Sequence, residues 1–241
     1  MDGQINKDRL IKVIVFTIIL LLLATAIVLM LWKPLQDLQR GNQTKIFLQK
    51  IKEGETTVIA DREDFKVEGE GYEEFEVLIT ESIPASNDSQ NDSQPEVTSA
   101  QDDVVLTAVG IITINAIDLE LPLWVGAGVV PLRYGAGMLQ GTASPGQEGN
   151  LVILGHRMKA YGSLFNRLGE IEMGDQIEVT TVDGSVYTYT VDQIIPQLVP
   201  ADLSNYVKID SGSGTQLTLV TCTPTGVGSH RLVVIAHITT N

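Results

Sequence analysis

The chain has 241 residues, with 16 Lys or Arg against 30 Asp or Glu, a formal net charge of −14 and a single cysteine. That length suits one soluble domain with appendages. The acidity and the lack of a basic stripe argue against nucleic-acid binding, and one thiol excludes both an internal disulfide and metal sites built on paired thiolates.

The charge is unevenly placed. Residues 1–52 carry 8 basic and 3 acidic side chains, residues 53–103 carry 2 and 16, and residues 104–241 carry 6 and 11. Within the first segment, residues 13–32 (VIVFTIILLLLATAIVLMLW) run for twenty residues without a charge, long enough at about 1.5 Å per residue to span a bilayer core. The apolar run exceeds that of a signal peptide and no small-residue cleavage site follows it, so an uncleaved signal-anchor helix is expected, preceded by a tail at 1–12. Trp32 and Lys33 stand where interface anchors belong. Lys7, Arg9 and Lys12 on one side are matched by Lys33, Arg40 and Lys45 on the other, which leaves the orientation open on charge alone.

Residues 33–83 read as an acidic juxtamembrane region. Apolar residues at helical spacing over 35–51 are interrupted at Gly41-Asn42, giving one helix or two, and 65–79 alternates apolar and charged residues like a short hairpin or sheet edge. Residues 84–103 contain a duplicated Asn-Asp-Ser-Gln and almost no apolar side chain. Such a composition cannot bury enough surface to offset chain entropy, and a disordered linker is expected. From 104 onward short β-type runs alternate with Gly, Pro and Asp. Candidate strands lie at 104–112, 117–124, 149–154, 176–182, 186–199, 216–222 and 231–237, with helical pieces limited to 130–135 and 161–169. The pattern predicts a mainly β domain over 104–241, a largely antiparallel barrel or sandwich with short helices.

The single cysteine, Cys222, closes one of these strands. A loop at 223–230 joins it to the next, so the two should be antiparallel neighbours with Cys222 facing Arg231. A fixed guanidinium beside a thiol favours the thiolate and offers N–H donors to an oxyanion formed by its attack on a carbonyl. A proton donor is also needed. His230 precedes Arg231 and so points to the opposite face, and His237 shares the face of Arg231 but lies about 20 Å along the strand. His156 ends the apolar strand NLVILGH after a glycine that permits close backbone approach, and is the best acid–base candidate. Spacing alone is also compatible with a packed cysteine, a surface histidine and a solvated arginine.

TLVTCTPTGVGSHRL and LVILGHR, with LPLWVGAG, GAGMLQGTASPGQEGN and LFNRL, resemble the sortases, membrane-anchored cysteine transpeptidases of Gram-positive surfaces. The resemblance spans about 108–236, and the stretch 221–232 is most similar to the class C, pilin-polymerising branch. It implies a sortase-like β-barrel of about seven to eight strands, preceded by one transmembrane helix. In that resemblance Cys222 is the nucleophile on an LPXTG-like sorting signal, His156 the general acid and base, Arg231 the holder of peptide and oxyanion, and Thr221 a residue lining the peptide groove.

The implied partners are surface or pilin proteins bearing the signal, an amine acceptor (a pilin lysine or a peptidoglycan precursor) and the cytoplasmic membrane, with the N-terminus inside and the barrel outside. No cofactor and no metal is expected. Two departures stand out: no Asp-Pro-aromatic lid triplet lies between 32 and 104, and the chain stops soon after its last strand, where many class C enzymes continue into a second membrane helix. Cell-wall attachment in place of pilin polymerisation, and plain hydrolysis by a cysteine protease, remain as alternatives.

Overall fold

The structure, a computed structural model, describes residues 2–60, 104–160, 162–208 and 214–238. The stretches 65–79 and 84–103, expected as a hairpin and a linker, lie outside the described residues. Two compact units divide the chain, Met1–Asn42 and Gln43–Asn241.

The first helix, α1 (Asp2–Lys52), supplies the first unit. Its stretch Lys12–Trp32, 21 residues, is long and apolar enough to cross a membrane, and the apolar side chains along it, Leu21, Leu29 and Met30 among them, are exposed. It fits a single-pass anchor. Of the one helix or two left open at Gly41-Asn42, one forms, and α1 runs through both residues. A glycine inside a helix costs only about 1 kcal/mol, and the segment that follows has a tertiary role: Phe47 and Ile51, four residues apart on one face, are buried.

Those last turns of α1 belong to the second unit. The Phe47 ring meets Trp124 edge-on at 5.9 Å and Tyr134 at 5.2 Å between centroids. Strand β1 (Thr57–Ala60) then pairs antiparallel with β2 (Val104–Ile114), Thr57 opposite Thr107. The folded unit therefore begins earlier than the boundary at 104 read from the sequence, taking in Gln43–Ala60 of the expected juxtamembrane region.

The remaining elements are β3 (Leu119–Val125), α2 (Val129–Tyr134), β4 (Ala136–Met138), β5 (Gly149–Leu154), β6 (Gln176–Thr181), β7 (Val186–Leu198), β8 (Thr215–Thr223) and β9 (His230–His237). Short 3-10 helices occupy Phe165–Glu170 and Pro200–Asn205. The neighbours run β2-β3-β4-β5-β8-β9-β7-β6, and β6 pairs back onto β2, closing a barrel of eight strands. The β3–β4 and β5–β8 pairs are parallel and the others antiparallel.

Side-chain alternation sorts two apolar layers. Leu151, Ile153, Leu217, Leu219, Leu232 and Val234 fill the barrel interior. Val152, Leu154, Val220, Val233 and Ile235 point the other way, beneath Leu132, Leu203 and Val207. Strands β8 and β9 are thus covered on both faces, which is why each reads as a near-continuous apolar run. Each fully buried Leu, Ile or Val in these layers contributes about 1.5–3 kcal/mol relative to exposure.

Candidate active site

Cys222 and Arg231 are register partners on the antiparallel β8–β9 pair. Both share the parity of Val220 and Val233 and therefore lie on the outer face of the barrel, where Cys222 packs at the edge of the outer apolar layer. On the opposite flank of β8, the parallel β5 runs in register from Gly149↔Thr215 to Leu154↔Val220. Two residues beyond that last pair on each chain stand His156 and Cys222. The sequence-predicted trio is thus collected at one end of three adjacent strands, β5, β8 and β9.

His156 and Arg231 are buried, and Cys222 is half-buried. The Arg231 Nη1 donates to the carbonyls of Gly228 at 2.6 Å and His230 at 3.0 Å. The guanidinium is thereby locked to its own loop, which fixes the direction of its other N–H groups. His230 lies outside this arrangement, its exposed Nδ1 3.0 Å from Ser229 Oγ. His237 pairs with Asp192 at the far end of β9, opposite Gln216 and Thr190. Both placements match the strand argument that selected His156.

Thr221 does not line a groove. It is fully buried, with the parity of the interior residues Leu217 and Leu219, and its hydroxyl donates to the Gly155 carbonyl at 2.6 Å. The residue before Cys222 is committed to the strand that delivers His156. Gly155 is required by close approach, since a Cβ placed there would fall 2.5 Å from the Phe165 ring. The segment after His156 is tied to the Phe165–Glu170 helix: Phe165 N–H donates to the His156 carbonyl at 3.0 Å, and Asn166 Nδ2 donates to the Met158 carbonyl at 2.6 Å. Leu164, at the start of that helix, holds φ 49°, a left-handed conformation that a bulky residue keeps only where its surroundings enforce it.

Three further features escaped the sequence. The Arg157 Nη1 donates to Thr223 Oγ1 at 2.9 Å, linking the residue after His156 to the residue after Cys222. Lys159 lies across the loop between β8 and β9, its Cε 2.1 Å from where a Cβ on Gly226 would sit, and Gly226 also takes φ +77°. Thirdly, Asn150 accepts from Thr218 at 2.8 Å and donates to the carbonyls of Tyr206 and Lys208 at 3.0 and 3.1 Å. That buried network fastens the 200–208 segment, whose Leu203 and Val207 roof the outer layer beside Cys222. Adjacency of Arg157 to His156 and of Thr223 to Cys222 was visible, but their contact depends on the β5–β8 pairing.

Comparison with known proteins places this arrangement. Residues 112–239 match the Sortase domain. Sortase A of Streptococcus agalactiae serotype III (strain NEM316) is 31% identical over 137 residues, 55% of this chain and 53% of the relative. Sortase D of Bacillus subtilis (strain 168) is 31% identical over 117 residues, 48% of this chain and 55% of the relative. The chain spans about half the length of these curated relatives. Among solved structures, sortase C-1 of Actinomyces oris superposes with a TM-score of 0.51 at 29% identity, covering 56% of this chain and 73% of its own. Sortase C1 of Streptococcus agalactiae in complex with MTSET gives 0.50 at 30%, covering 56% and 70%. The eight-stranded barrel, the strands that collect Cys222, His156 and Arg231, and a domain match over more than half of the chain together make this protein a member of the sortase family.

Proposed function

We propose that this protein is a membrane-anchored cysteine transpeptidase. The observation that carries the reading is the Cys222↔Arg231 register pair with His156 brought alongside by the β5–β8 pairing. Cys222 Sγ attacks the Thr–Gly carbonyl of an LPXTG-like signal. An S–C bond forms and the C–N bond breaks, with His156 giving its proton to the departing glycine amine. An incoming amine then attacks the thioester. Its proton passes to His156, the C–S bond breaks, and the Cys222 thiolate beside a protonated His156 is restored. Arg231 directs N–H donors to the oxyanion of each tetrahedral intermediate and holds the peptide.

In this reading residues 13–32 anchor the chain with the N-terminus in the cytoplasm and the barrel outside, beside substrates emerging from the membrane. Similarity to a solved sortase C1 of a pilus island supports a pilin amine, such as that of a lysine, as the acceptor. A second reading, in which the amine belongs to a peptidoglycan precursor, uses the same acyl-transfer steps, and the chain is also similar to a sortase A. Intact mass spectrometry of the full chain in detergent micelles, incubated with LPXTG-type peptides with and without a small amine, tests the proposal beside a Cys222→Ala control. An adduct on Cys222 that resolves to an amine-capped peptide is expected. Cleavage to the free acid alone, with the amine present, would identify a hydrolase, and no adduct from folded protein with any peptide would count against acyl transfer.

A further inference from the structure

Two side-chain hydrogen bonds bracket the reactive pair. Before it, Thr221 donates to the Gly155 carbonyl at 2.6 Å. After it, Arg157 donates from Nη1 to Thr223 Oγ1 at 2.9 Å. Neither belongs to the main-chain ladder, which includes the bond from Gly155 N–H to the Val220 carbonyl at 3.1 Å. Past that point the His156 chain turns aside, Arg157 bridging with Leu164, and the β5–β8 register ends at Leu154↔Val220.

The second bond supplies what the ladder lacks. The Arg157 guanidinium is itself held, with Nε donating to the Asn166 carbonyl at 3.3 Å and Nη2 lying 2.4 Å from where a Cβ on Gly169 would sit. Gly169 thus leaves room for the guanidinium. One planar fork joins the His156 segment, the Phe165–Glu170 helix and the end of β8, a geometry that the point charge of lysine does not reproduce. Thr223 is buried, so its hydroxyl is kept from bulk water.

We infer that Arg157 and Thr223 form a positioning pair that carries the β5–β8 register past the end of the sheet and sets His156 against Cys222. The inference rests on the roles proposed above for those two residues. Loss of the bond frees the two chain segments to shift relative to each other, and a misplacement of about 1 Å at reacting groups costs on the order of 10²-fold in rate.

The test uses the full chain in detergent micelles, as wild type, Thr223→Val, Thr223→Ser, Arg157→Gln and the Thr223→Val/Arg157→Gln double variant. Two quantities are measured: the rate of Cys222 alkylation by iodoacetamide over about pH 5 to 10, which needs no peptide, and kcat and KM on an LPXTG peptide. Thr223→Val is expected to move the midpoint of the alkylation profile and lower kcat by about 10- to 100-fold with little change in KM. Thr223→Ser restores both, and the double variant is no worse than Arg157→Gln alone, since Arg157→Gln already removes the bond that Thr223→Val removes.

An unmoved profile and kcat in folded Thr223→Val would overturn the inference. So would additive losses in the double variant, or a lower melting temperature with the profile unchanged. Should Arg157→Gln fail to fold, the near-isosteric Val and Ser pair still decides. A wild type that turns over no peptide but whose profile responds to Thr223→Val would sink the transpeptidase reading and leave the positioning pair standing. Active wild type with an unresponsive profile does the reverse.

Discussion

Two of the five N–H donors of a guanidinium tie Arg231 to the carbonyls of Gly228 and His230, so its orientation is set before any peptide arrives. Arg231→Lys keeps the charge and loses that fork. Its kcat/KM is expected to fall by about 10²–10³-fold, the cost of one oxyanion donor, in a peptide-cleavage assay, and near-normal turnover would rule out directional donation. His237 pairs with Asp192 about 20 Å along β9 from Arg231. His237→Ala should keep activity within about twofold; a loss as large as that of His156→Ala in folded protein would contradict the placement of the two histidines.

Cys222, His156 and Arg231 could be placed from the sequence because strand spacing brings them to one end of neighbouring strands. The direction of Thr221 could not. Whether the residue before Cys222 faces outward or into the barrel follows from which face of β8 is the inside, and that depends on pairing with β5 and β9. The left-handed backbone at Leu164 was likewise invisible, because nothing local in Ser-Leu-Phe calls for it.

At the scale of elements, the end of α1 is the least expected contributor. Phe47 fills a socket between Trp124 on β3 and Tyr134 on α2, and β1 extends the sheet beside it. Phe47→Ala should destabilise the second unit by about 3–5 kcal/mol, read as a lower unfolding midpoint in denaturant. A loss below about 1 kcal/mol, the range of surface substitutions, would mean the helix end docks without supporting the barrel.

The long strands were legible from β-branched runs and turn residues. β4 was not, since Ala136–Met138 is too short to show a period, and its place between β3 and β5 is supplied by pairing. At Gly41-Asn42 the sequence left one helix or two open, because glycine is a poor helix former, and the burial of Phe47 and Ile51 outweighs that small cost in a single helix.

For the whole molecule, the choice between barrel and sandwich turned on a single long-range pairing, β2 with β6, through which Gly110 meets Thr181. No local pattern announces such a contact. Closure also buries Tyr189, whose hydroxyl accepts from Gly146 N–H at 2.9 Å. Burial, chiefly, pushes its phenol above the ordinary tyrosine value. The folded state therefore favours the protonated form more than the unfolded chain does. This contribution to stability is fully present below the unfolded-state value near 10 and is lost as pH rises through the folded value. Unfolding free energies of the full chain in micelles should fall above about pH 10, and less steeply in Tyr189→Phe; identical slopes would show that other groups govern the alkaline limb.

The parallel pairing of β5 with β8 has one more consequence. Its strands are separated by residues 155–214, so two of the barrel's other strands, β6 and β7, are made between the two reactive residues. Closing a loop that long is entropically costly until the intervening strands have folded. A nascent or partly folded chain therefore carries its cysteine without the histidine beside it. On the role proposed for Cys222, chemical competence then arrives late, with the last long-range contacts.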